Sequence, residues 1–249
     1  MKQYLMPAVV VVALVSSSFA FAQKPKTKKE IEALQAIQAA TDDDARIAAI
    51  ENLLTKFADT EYKIVVLEAA MDSARHKGDL DTTDLYGERL LEADPNNLNA
   101  LSTLAKDIAD RTREFDLDRN DKLKRVDDLA NKAIKVGATA AKPSAQMTDE
   151  QWTQRKGFYM ADSHAALGSA ALIEKKSEVA IKEYGAALEI VNDPSTSVRL
   201  AMANTAAGKF DAAIVILDKL LAISDLDPRI KQVAGQEKVK AAMAKAKAK

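Results

Sequence analysis

Leu167 and Leu200 lie 33 residues apart, and so do Ala180 and Ala213. A fixed period near 34 residues calls for stacked copies of one small unit, since a single unit of that length cannot bury its own apolar face. The unit is helical. Residues 176–191 place Ala180, Tyr184, Ala187, Leu188 and Val191 on one stripe, and 210–224 do the same with Phe210, Ala213, Ile214, Leu217, Leu220 and Leu221. Residues 121–136 repeat the spacing with Leu123, Val126, Ala130, Ala133 and Ile134. Recurrence at i, i+3/4 and i+7 gives each helix one buried face. The 249-residue chain has only 8 Gly and 6 Pro, about half the usual share, which argues against a turn-rich β fold.

Stop signals fall between the stripes. His76-Lys77-Gly78-Asp79 ends one helix, with cations in the last turn and Gly where a left-handed cap belongs. Ala207-Gly208-Lys209 repeats the device. Asp94-Pro95 and Asp193-Pro194 close two more helices, and Gly137 is read as the end of the 121–136 helix. Thr148 to Gln151 reads as a capping box. The expected helices cover 27–40, 43–57, 60–77, 79–93, 97–113, 121–136, 148–174, 176–191, 195–207, 210–224 and 228–246, with a linker-like loop at 137–147.

One pair carries a recognisable motif. His164, Leu167-Gly168 and Ala171 on a first helix are followed by Ala180, Tyr184 and Ala187 on a second. Leu200-Ala201, Gly208, Phe210, Ala213 and Leu217 follow the same scheme. An earlier copy runs from Gly78 to Leu90-Leu91-Glu92-Ala93-Asp94-Pro95, and Leu104-Ala105 then follows Ala70 by 34 residues. From about residue 27 to 227 the chain resembles the tetratricopeptide repeat family. Met71 and Thr83 depart from the small residues expected, and Arg113 to Asp121 is an insertion between two helices. The small residues Gly168, Ala105 and Ala201 admit a second helix at close range.

The resemblance implies an all-α α-solenoid of about five antiparallel helix pairs, closed by a C-terminal capping helix after Pro228. It divides the chain into a leader at 1–22, helix pairs over 23–136, a loop at 137–147, and helix pairs with capping helix and basic tail over 148–249. It also implies a concave groove lined by the first helix of each pair, and so a protein or peptide partner. The groove positions fall on Glu68, Asp72, Arg75, Asn99, Ser102, Lys106, Asp162, Ser169, Arg199 and Met202. These are mixed in charge, with few apolar anchors, which suits an extended segment held by polar contacts. Self-association of the stack into a structural oligomer of the cell envelope is the alternative use.

Little else in the chain speaks for chemistry. There is no Cys, which removes thiolate zinc sites and cysteine nucleophiles. The two histidines, His76 and His164, are far apart in sequence and fit a helix end and a packing position. No phosphate loop or nucleophile elbow occurs, so neither an enzyme nor a cofactor is expected. Asp116, Asp118, Asn120 and Asp127 approach calcium-loop spacing, but Asp121 replaces the glycine that loop needs. A solvated loop whose acids serve the next helix N-terminus is the plainer reading, and no metal site is expected. Trp152, Phe158 and Tyr159 share a long helix, where they either cover the loop or form a binding patch.

A net charge of −1 and a pI near 6.2 do not indicate a nucleic-acid partner. Lys2, the apolar run Leu5 to Val15 and Ala20-x-Ala22 read as an export leader cleaved before Gln23, placing the mature chain in the periplasm or outside the cell. An uncleaved N-terminal membrane anchor is the alternative. Membrane contact is expected at most there or through the basic tail Lys238 to Lys249.

Overall fold

The computed structural model describes residues 27–144 and 146–248. The leader expected at 1–22 lies outside them. Eleven α-helices run through the described residues: α1 (Lys28–Ala39), α2 (Asp43–Lys56), α3 (Lys63–Lys77), α4 (Leu80–Ala93), α5 (Leu98–Arg111), α6 (Arg119–Thr139), α7 (Asp149–Ile173), α8 (Ser177–Ile190), α9 (Pro194–Ala206), α10 (Phe210–Leu221) and α11 (Pro228–Lys247). No strand occurs among the described residues. None of their helices is long and apolar enough to cross a membrane.

Side-chain caps open several of these helices. Side chains of Thr27, Asp42, Asp79, Asp193 and Asp227 accept backbone N–H groups at the starts of α1, α2, α4, α9 and α11. The Thr148 Oγ1 accepts the Gln151 N–H at 3.2 Å while the Gln151 carbonyl Oε1 accepts the Thr148 N–H at 2.9 Å, a reciprocal capping box. Pro194 and Pro228 open α9 and α11 at the first helical turn, where a missing N–H costs nothing.

Gly137 is the exception. The helix expected to stop there continues to Thr139, and Gly137 is buried within it. A buried glycine with helical backbone serves close packing rather than a cap, and the real stop precedes Lys142-Pro143.

Three inter-helix turns share one geometry. Gly78 and Gly208 adopt φ values of 72° and 75°, and Lys175 takes the same place with φ 62°. In each, the chain folds back onto the preceding helix: the Asp79 N–H donates to the Ala74 carbonyl, that of Lys176 to Ala171, and that of Lys209 to Asn204. A side chain in the left-handed region costs about 1–2 kcal/mol, so Lys175 carries strain that glycine would not. Lys175→Gly is expected to raise stability by about 0.5–1 kcal/mol, net of the extra chain entropy it releases on unfolding. Chemical denaturation checks this, and a loss of stability would count against the strain.

The chain divides into two compact units. The first holds the described residues to Ala100 together with Ala141–Trp152, and the second holds Leu101–Ala140 with the residues from Thr153 onward. In the first, α1 packs on α2, α2 on α3 and α3 on α4. Ile37, Ile50, Leu53, Val66, Leu67, Met71 and Leu90 form its core. Polar clasps bind its helices: the Thr60 hydroxyl donates to Glu30 at 2.6 Å, and Asp43 accepts from Arg46 at 3.1 Å and faces His76 Nδ1 at 2.7 Å. Burial pushes the Asp43 carboxyl up, but the bonds from His76 and Ser73 and nearby positive charge hold it below the usual range.

In the second unit α8 packs on α9, α9 on α10, and α11 on both α9 and α10. Two cores result. Ala161, Ala165, Ala171, Ala180, Tyr184, Ala187 and Ala203 form one, and Val198, Ala201, Ala213, Leu217, Leu220, Leu226, Ala234 and Ala241 the other. Alanine dominates because the helices meet at short range. Gly168 is the extreme case: a Cβ there would stand 2.8 Å from the Tyr184 ring.

Candidate binding groove

The first-helix residues expected in the groove are tied to one another across neighbouring pairs. In the first unit the Asn97 amide donates to Glu68 at 2.8 Å and the Asn99 amide to Asp72 at 3.2 Å. Asn99 is buried, as is Ser102 in the second unit, whereas Arg75 is exposed. The first-unit positions serve mainly to join helix pairs.

In the second unit Lys106, Ser169, Arg199 and Met202 come together. Arg199 donates to Asp110 at 2.8 Å and to the Ser169 hydroxyl at 2.8 Å. Lys106 holds the other Asp110 oxygen at 2.5 Å, and Ser169 meets the Tyr184 hydroxyl at 3.0 Å. This chain of bonds joins α5, α7, α8 and α9. Burial opposes the charge of Arg199, but the Asp110 carboxylate overcomes it and holds the guanidinium protonated, while burial pushes the Tyr184 phenol up.

Above this network lies an open cavity of about 470 Å³. Leu172, Ile173, Val198, Met202, Ile230 and Val233 supply its apolar lining. Arg113, Arg199 and Arg229 stand among the lining residues, with Asp110 already engaged. Arg229 has 92% of its side chain exposed, and its Nε lies 3.7 Å from the Asp227 carboxylate. The groove is thus more apolar and more cationic than the first-helix positions alone suggest. Ile230 and Val233 come from the capping helix, which the repeat pattern assigned to closure rather than to the groove. Ile230-x-x-Val233 on one face of that helix was the available clue.

Asp162 lies apart, on a smaller hollow of about 140 Å³ with Phe158 and Thr196. Phe158 and Tyr159 are half-buried, and Tyr159 stacks under Arg155, whose Nε donates to its hydroxyl at 2.8 Å. Trp152, in the first unit, is also half-buried. His164 pairs with Glu183 at 2.8 Å within the second unit.

The acids with calcium-like spacing are occupied by protein. Lys122 reaches Asp116 at 3.2 Å and Asp118 at 2.9 Å, and Asn120 accepts from Arg119. Asp127 sits within α6, its carboxyl raised by partial burial and then by the charge of Glu174. A cation would have to displace an ammonium group from both acids. Calorimetric titration with Ca²⁺ is expected to give no binding heat. An isotherm abolished by Asp116→Asn would overturn that.

No family model matches the sequence, and no curated protein matches it. A thermophilic TPR protein of Thermus thermophilus, known from its crystal structure, is similar in fold. The match has a TM-score of 0.50 over 87% of this chain and 95% of that one, at 16% identity. Identity that low carries the architecture and not the activity. The chain has the antiparallel helix-pair fold of a tetratricopeptide protein.

Proposed function

We propose that this protein is a non-enzymatic adaptor that holds an extended or helical segment of a protein partner in the groove of its second unit. The observation that carries the proposal is the pairing of an apolar floor with an arginine rim. Such a surface fits a segment with at least two apolar side chains and an acidic one. The fold supports the reading, since helix-pair repeats generally serve as protein-interaction scaffolds. The export leader read at 1–22 supports a periplasmic site of action, and N-terminal sequencing of the protein from its host tests it.

Selection of random peptides on the immobilised protein tests the groove. Enriched peptides should combine apolar residues with Asp or Glu, and Met202→Glu should abolish their binding. Peptides of unrelated composition, or binding that survives Met202→Glu, would count against the groove.

A further inference from the structure

Among the described residues Lys175 alone carries a side chain in the left-handed backbone region, and it stands where two equivalent turns have glycine. An outlier of this kind persists where something besides the backbone requires the residue. The turn itself does not. The bonds that close it run from the Lys175 N–H to the Leu172 carbonyl and from the Lys176 N–H to that of Ala171, and glycine would make them equally well.

The requirement lies at the end of the side chain. The Lys175 ammonium meets Glu114 at 2.6 Å, in the segment between α5 and α6. That segment holds two large apolar side chains in water: Phe115 is 89% exposed and Leu117 fully so. Its other polar contacts are local. Asp116 accepts the Arg113 N–H at 3.0 Å, Arg119 donates to the Glu114 carbonyl at 3.1 Å, and Lys122 meets both Asp116 and Asp118. These bonds set the internal shape of the segment. The Lys175–Glu114 pair instead ties it to the turn between α7 and α8.

The two glycine turns make a similar tie with a residue next to the glycine. Lys77, just before Gly78, pairs with Asp44 of α2, and Lys209, just after Gly208, pairs with Glu178 of α8. In the third turn both neighbours are engaged with each other, since Glu174 pairs with Lys176 at 2.9 Å. The tie to an earlier part of the stack then falls to the central residue, which for that reason cannot be glycine.

We infer that Lys175 is a latch, a strained lysine kept in a glycine position to hold the Phe115–Leu117 segment in one place. Both partners of the pair are exposed, so it adds little to global stability. The strain therefore governs the stability of Lys175→Gly, and the placement of the segment is what that change gives up. An exposed pair also weakens as salt screens it, so ionic strength sets how firmly the latch holds.

The chain has no cysteine, so a nitroxide attached at Phe115→Cys reports on this segment alone. Its spectrum should show a restrained component in the parent, lost on raising the salt. Lys175→Asn keeps a residue that tolerates the left-handed turn and removes the ammonium, and it should release the label at low salt. Glu114→Gln should release it to the same extent, and the two changes together no further. Exchanging the charges, Glu114→Lys with Lys175→Glu, should restore the restraint. A label equally restrained in Lys175→Asn and the parent, or release by the two single changes that adds up, overturns the latch.

Discussion

Gly168→Val is expected to destabilise the second unit by roughly 2–3 kcal/mol. Even the first added carbon would lie 2.8 Å from two ring atoms of Tyr184 and 3.0 Å from a third. The obstacle is the body of a ring that is almost wholly buried, not the end of a flexible chain. The ring is also held at its far end, where the hydroxyl meets Ser169. Relief therefore requires α7 and α8 to separate, which opens the core around Ala180 and Ala187. Hydrogen exchange at α7 and α8 reads the loss. Gly168→Ala should cost less, because replacing glycine in a helix restores up to ~1 kcal/mol of backbone entropy against the clash. In a Tyr184→Leu background the alanine should become neutral or favourable, a coupling a double-mutant cycle measures directly. A wild-type exchange pattern in Gly168→Val would contradict the close approach of these helices.

Leu67→Ala is expected to cost the first unit about 2–5 kcal/mol. Leu67 has no exposed surface and lies in α3, in the same core as Ile50, Leu53, Val66 and Met71. Helices on both sides fix that core, so the space left by the lost methyl groups cannot fully collapse. The nearby control is Leu85→Ala on α4. Its side chain is 56% exposed, so its removal should change stability by less than about 0.5 kcal/mol. Denaturant titration of the two variants, with exchange in α1 to α4 as the local readout, separates them. Equal effects would mean that the inward face of α3 had been misassigned.

Most helix boundaries were legible because two independent signals agree at them. The apolar stripe of α10, through Ala213, Leu217 and Leu220, gives its buried face, and Gly208 gives the preceding turn. Where only one signal existed, reading was harder. Gly137 has the residue of a cap but the environment of a packing contact, and burial decides between them. Lys175 adopts the backbone of a cap glycine without being one, so residue type concealed it. The polar first-helix positions could be named from the repeat, but the partners that each one meets could not be read. Asn99 and Asp72 satisfy each other, and Arg199 is committed to Asp110. The apolar floor was hidden because Leu172, Ile173 and Ile230 lie near helix ends, where a repeat pattern predicts packing within the stack. Phe115 and Leu117 lie in the insertion from Arg113 to Asp121, and their exposure is a property of the fold and not of a short segment.

The central claim is that the groove of the second unit is where another protein binds. A photoreactive phenylalanine analogue placed at Met202, inside the groove, and separately at Val215, on the exposed face of α10, tests it in the native host. The account predicts discrete protein adducts from position 202 and none from position 215. Adducts from 215 with none from 202 would contradict it.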